Sequence, residues 1–266
     1  MENITPMVDV FVPYIFPAFL MFTRLVTLLA MVPGFAQGTL ASRFRLMFAI
    51  MLALVLDFAM GLVVMPFPDS VLHLSLAVIR EVLYGAGMGL TIRLMLSAVE
   101  AAGAICGINM GLSLNVFVDP TSGEETMTLG SIMGLCAALM FVALDGHHLI
   151  IETLMGHFKV FPIGETSYSF PRPEVIMSAG SDLIRQAFVI SSPVIVVTLL
   201  LNMSLALVSR VVPSVNLFGI GLGLLTFAGL ISLAFEGDAV LTYIQHSMAD
   251  LPREMWRFSG YELGTE

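Results

Sequence analysis

The feature that most constrains this chain is a succession of six long apolar segments separated by short punctuation. They run from about Val10 to Val32, Leu46 to Met65, Val71 to Val99, Met127 to Leu144, Glu174 to Ser209 and Val215 to Phe235. A helix of about 20 apolar residues spans the hydrocarbon core of a bilayer. Backbone in lipid must satisfy its own hydrogen bonds, so such segments read as helices. Composition agrees. The chain is 58% hydrophobic and 12% charged, with a mean hydropathy of +0.95; soluble domains are about 45–50% apolar and about 25% charged. The chain reads as all-α and polytopic, in contact with membrane lipid or bound into a membrane assembly.

Twenty acids against 11 bases give a formal charge of −9, which argues against a nucleic-acid partner. Lys and Arg fall on both alternate sets of loops, so orientation is undecided. Cys106 and Cys136 lie in apolar helical sequence and form no disulfide framework or paired-thiol metal site; both are expected as small buried hydrophobes. The acidic N-terminus lacks the basic region of a cleaved signal, so the first segment is expected to stay.

Ionisable residues inside the apolar segments are the next constraint. Arg24 sits in the middle of segment one and should face protein or water. Pro13 and Pro17 should kink that segment or delay its start. Asp57 lies inside segment two. Segment three holds Arg80, Glu81, Arg93 and Glu100. Arg80 and Glu81 are neighbours that do not share a helix face, so each is expected to pair with another helix. Glu100 follows Arg93 by two turns; the two either point into one polar seam or cap helix ends in water. Arg24, Arg80, Glu81, Arg93 and Glu100 form a candidate buried charge network.

The stretch from Gly103 to Asp119 begins as a helix and ends as something else. Gly103, Gly107 and Gly111 recur every four residues, a packing face for a close neighbour. Beyond Gly111 the sequence alternates toward an extended pattern, and Asp119-Pro120 stops any helix. Non-helical backbone at membrane depth must be buried in protein or line a cavity. The segment is therefore either a working part or an ordinary loop outside the membrane.

Other motifs are weaker. Asp145-Gly146-His147-His148, with Glu152 beyond, tempts a metal reading, but no HExxH pattern or full ligand set accompanies it. Capping and interhelical hydrogen bonds are expected there, and no metal. The polar stretch from His157 to Ser178 divides the chain into residues 1–174 and 175–266. Segments five and six make a hairpin. After Glu236-Gly237-Asp238 comes a mixed helix, Val240 to Phe258, interrupted at Pro252, with Arg253, Trp256 and Arg257 suited to a membrane interface. No nucleotide loop, nucleophile elbow or activated serine is present, so neither catalysis nor a cofactor is expected.

Several motifs, in order, resemble one family. They are Ala102-Gly103, the run from Gly107 to Ser113, Phe117-Val118-Asp119-Pro120, Leu144 to His148, Phe161-Pro162-Ile163-Gly164, and the run from Ser209 to Phe218. Their order and spacing resemble the FliR family, the R component of the flagellar type III export gate, with its injectisome relatives. The departure is Ser214, where the family pattern has Gln. The resemblance implies a non-enzymatic helical subunit, present once per gate, in the bacterial inner membrane at the flagellar basal body. Its implied partners are several copies of FliP and FliQ, with FlhB wrapped around them, and unfolded export substrates. Residues 1–174 would be FliP-like and contain a pore plug at 107–123; residues 175–266 would be a FliQ-like hairpin and tail. The implied plug residues are Met110, Leu112, Leu114, Val116 and Phe117, before Asp119 and Pro120. An apolar plug resists wetting and must move for cargo to pass. From the residues alone, a small secondary transporter using Arg80, Arg93 and Glu100 is the alternative, but it predicts internal repeats that are not visible. A scaffold without pore residues is a third reading.

Overall fold

The computed structural model describes residues 5–32, 39–68, 70–112, 129–164, 173–211 and 217–258. Eight helices and no strand occur among the described residues: α1 (Thr5–Met31), α2 (Thr39–Ala59), α3 (Val71–Asn109), α4 (Leu129–Ala143), α5 (Gly146–Val160), α6 (Pro173–Val211), α7 (Leu217–Phe235) and α8 (Gly237–Phe258). Three helices, α1, α3 and α6, are long and apolar enough to cross a membrane, and the bent pairs α4–α5 and α7–α8 raise the total to as many as five. The protein is all-α and polytopic. At 39 residues each, α3 and α6 extend about 58 Å, nearly twice a hydrocarbon core of about 30 Å. Upright, neither lies wholly within lipid.

The chain forms two compact units, each built from separate stretches. One comprises Met1–Arg93, Asp145–Met177 and Asp250–Glu266; the other comprises Leu94–Leu144 and Ser178–Ala249.

In the first unit α1 lies against α3 at two glycines four residues apart. A Cβ on Gly85 would collide with the Arg24 carbonyl and the Thr27 hydroxyl, and one on Gly89 would lie 2.6 Å from the Leu28 carbonyl. Contrary to the sequence expectation, α1 starts early and runs through both prolines. Pro17 has no N–H for the Pro13 carbonyl four residues back. The Met65 amide supplies it instead, at 3.0 Å. At the end of α2, Gly61 (φ 89°) and Leu62 (φ 55°) take left-handed angles. Asp57 is buried there, and its carboxylate accepts the Val63 N–H at 3.2 Å.

In the second unit the last turns of α3 meet α4 with the same device. A Cβ on Gly103 would lie 2.9 Å from the Gly130 Cα, and one on Gly130 would lie 2.9 Å from the Glu100 carbonyl. The backbones touch because neither residue carries a side chain. Cys106, Met110 and Val194 form a buried cluster with Leu129 and Leu233 packed on it. Within α6, Pro193 deprives the Val189 carbonyl of its usual donor, and the Ser192 hydroxyl donates to it at 2.8 Å.

Three sequence expectations are corrected. Segment three does not stop near Val99; α3 is unbroken to Asn109, because the Ala-rich run from Glu100 to Ala104 favours helix. The last helix is not interrupted at Pro252. Cys106 is buried, but Cys136 is exposed.

Candidate functional site

Two places gather the residues that the sequence singles out, one in each unit. The first is a buried charge cluster around Arg24. Its side chain has no exposure. Arg24 Nε donates to Glu81 Oε2 at 2.6 Å, and its Nη1 lies 2.9 Å from His157 Nδ1. The guanidinium stacks over Phe158, 4.4 Å from the ring centroid, with Tyr84 at 5.1 Å. Arg80 Nη2 donates to the other Glu81 oxygen at 3.0 Å. Glu81 therefore has a guanidinium on each oxygen, which is what a buried carboxylate requires.

That geometry corrects one expectation. Glu81 does pair with another helix, and Arg80 donates both to its own neighbour and, at 3.4 Å, to the Pro162 carbonyl just beyond α5. A single carboxylate is broad enough to accept Arg24 from α1 and Arg80 from beside it. Arg93 and Glu100 are exposed and lie outside the cluster. His157 went unseen in the sequence because it was assigned to the polar interruption. In the structure it is inside α5 and fully buried, stacked on Phe161 with centroids 4.8 Å apart. Its signal was there: Thr153, Leu154, His157 and Phe158 recur as one helix face. Trp256 also points inward, with its ring 3.0 Å from where a Gly156 Cβ would be.

The second place is the end of α3, just before residues 113–128, which lie outside the described residues. Met110 is fully buried. It fills a notch on α7, where a Cβ on Gly229 would lie 2.5 Å from the Met110 Cγ and 2.8 Å from its Cε. The Thr226 hydroxyl is 3.0 Å from the Met110 carbonyl and 3.0 Å from its own Leu222 carbonyl. Just beyond, Gly111 takes φ 77°, its N–H donates to the Ile108 carbonyl at 3.0 Å, and Leu112 is exposed. Gly111 is therefore the turn that ends the helix, not a third member of the Gly103 and Gly107 packing face. Left-handed angles suit glycine because it has no Cβ. Of the expected plug residues, Met110 and Leu112 are seen; Leu114, Val116, Phe117, Asp119 and Pro120 lie outside the described residues.

Thr226 and Gly229 were not singled out for this role from sequence. With Leu233 they recur at intervals of three and four residues, so they share one face of α7. That face meets the end of α3.

Asp145, His147 and His148 place one polar atom each within 4.8 Å of one another, all exposed. His148 Nδ1 lies 3.2 Å from Asp145 Oδ1.

The chain matches the family described as bacterial export proteins, family 1, over residues 15–251. It is 28% identical over 228 residues to the flagellar biosynthetic protein FliR of Escherichia coli (strain K12), covering 86% of this chain and 87% of that protein. It is also 28% identical over 236 residues to the protein of the same name from Caulobacter vibrioides, covering 85% and 91%. The surface presentation of antigens protein SpaR of Shigella sonnei is 27% identical over 150 residues, covering 56% and 58%.

Proposed function

We propose a role from one premise: the chain belongs to the bacterial export proteins, family 1. It is a membrane-embedded component of a flagellar or type III protein export apparatus. More specifically, it builds the inner-membrane export channel at the flagellar basal body with FliP and FliQ, one copy to several, with FlhB alongside. Its part is structural and gating, not catalytic. Residues 1–174 take the FliP-like place and residues 175–266 the FliQ-like place. Unfolded substrates pass a constriction that the loop after Met110 closes when idle.

The observation that carries this reading is the way α3 ends. The chain is fastened at Met110, turns through Gly111 and then presents Leu112 outward. An apolar segment on a fixed root can close a narrow passage, because wetting a hydrophobic constriction is unfavourable. It can also leave that passage without unfolding the helices that hold it. Met110 itself serves as the fastening, and the sealing side chains start at Leu112.

Deleting residues 113–123 tests the reading, since it spares Met110. Assembly with the partner subunits should survive, and membranes carrying the variant should leak ions. If neither leakage nor secretion changed, the loop would be no plug.

A further inference from the structure

Three acids are buried among the described residues, Asp57, Glu81 and Glu236; Asp57 accepts a backbone N–H, and the other two are treated in opposite ways. Glu81 has a guanidinium on each oxygen. Glu236 has none. It occupies the single residue between α7 and α8, where the helix pair bends by 48°. It is 6% exposed. Both of its carboxyl oxygens are out of reach of solvent and without a hydrogen-bond partner among the described residues.

The residue is not there by looseness. Its N–H donates to the Leu233 carbonyl at 3.0 Å, and its own carbonyl accepts the Ala239 and Val240 amides at 3.0 and 3.1 Å. It also continues a pattern. Thr226, Gly229, Leu233 and Glu236 follow one another by three, four and three residues, a single stripe along α7. Thr226 and Gly229 hold Met110, and Leu233 packs on the Cys106–Met110–Val194 cluster. Glu236 ends the stripe. Among the described residues, no base lies close enough to act on it. On α8, the nearest acid, Asp238, is exposed.

An ionised carboxylate in such a place is so costly that the group neutralises instead. A metal ion, lysine or arginine cannot touch oxygens that have no accessible surface. A proton can. We propose that Glu236 is a proton-binding site, protonated while α7 is seated on the end of α3 and ionised only when the α7–α8 break admits water. On opening, the carboxyl proton passes to water and the carboxylate is hydrated; on closing, it is taken back. The seated form binds the proton more tightly, so by linkage rising pH favours the unseated form. Because the same stripe holds Met110, proton release and freedom of the loop root become coupled; that coupling rests on the export reading above, whereas the proton site itself does not.

The test is infrared spectroscopy of the full chain, purified with its co-expressed partners in lipid nanodiscs, comparing wild type with Glu236→Gln at neutral pH. The difference spectrum should contain the carbonyl stretch of a protonated carboxylic acid. A carboxylate stretch in its place would overturn the proposal. Thermal unfolding guards against misfolding. Glu236→Gln, a neutral isostere, should be at least as stable as wild type and should lose less of its stability as pH rises. A Glu236→Gln variant that fails to fold, or that tracks wild type at every pH, would equally overturn it. Neither readout involves secretion, so a failure of the export reading would be seen separately.

Discussion

The two units hold their central contacts by different physics. Around Arg24 the first unit is locked by charge: two guanidiniums on one carboxylate, an imidazole, and aromatic rings above. Around Met110 the second unit is held by shape: a flexible thioether side chain in a glycine notch, and one hydroxyl on a carbonyl. Buried ion pairs demand exact partners and punish the loss of any one. Methionine tolerates change, because three rotatable bonds let it repack. On the export reading, the difference assigns the frame to the first contact and the moving root to the second. A charge lock suits a frame that must stay put. A methionine in a notch suits a root that is seated in one state and released in another.

The largest expected effect breaks the charge lock. Arg24→Met leaves Glu81 buried with half its compensation, and removing one partner of a buried pair costs about 3–5 kcal/mol. The variant should fail to accumulate in membranes. Adding Glu81→Met should restore accumulation, since apolar replacement of a whole pair is often neutral; measuring protein level in both variants checks this. If the double variant were as depleted as the single, charge pairing would not be what Arg24 supplies.

Next comes Met110→Ala. It should lower stability by about 2–5 kcal/mol, as other large-to-small changes in a core do. Unlike Arg24→Met, it should leave enough assembled protein to assay, with ion leakage raised. A smaller step is Thr226→Val, which keeps shape but removes the hydroxyl from the Met110 carbonyl. A loss of about 0.5–1.5 kcal/mol is expected, read as a lower unfolding temperature. The smallest is Arg257→Gln. Its pair with Glu254, at 2.9 Å, has both side chains more than a third exposed to water or nearly so, and exposed pairs contribute about 0–1 kcal/mol. No measurable shift in unfolding temperature is expected.

The sequence made the helices legible because apolar length and internal charge are local properties. Arg24 stands alone in an apolar run, so its burial against a partner could be anticipated, and Glu81 was already a candidate. The choice of partner was not legible. Which residue completes the cluster depends on α5 approaching α1, and that placed His157, read as loop, against Arg24. Boundaries failed where tertiary contacts override a local signal. Pro13 and Pro17 read as a kink or a late start, yet α1 begins at Thr5, and Met65 supplies the missing donor from 48 residues beyond Pro17. Gly111 read as a third packing glycine, yet it is the turn. Met110 was expected in a seal; its burial against Gly229 could not be read, because that glycine lies more than a hundred residues away in sequence. Glu236 read only as part of the link into the last helix; its burial comes from the three-dimensional structure.

The most direct test of the fastening at Met110 is a double-mutant cycle between Met110 and Gly229, read by thermal unfolding and by ion leakage. Gly229→Ala places a methyl group into the space Met110 fills, and overpacking costs about 1–3 kcal/mol. In Met110→Ala that space is empty. If Met110 sits in the notch, the double variant should be clearly better than the sum of the two single losses, and leakage should fall back toward that of Met110→Ala alone. Contacting residues show such coupling of about 0.5–3 kcal/mol. Strictly additive losses, with leakage unchanged by either substitution, would mean that Met110 and α7 do not hold the end of α3 together.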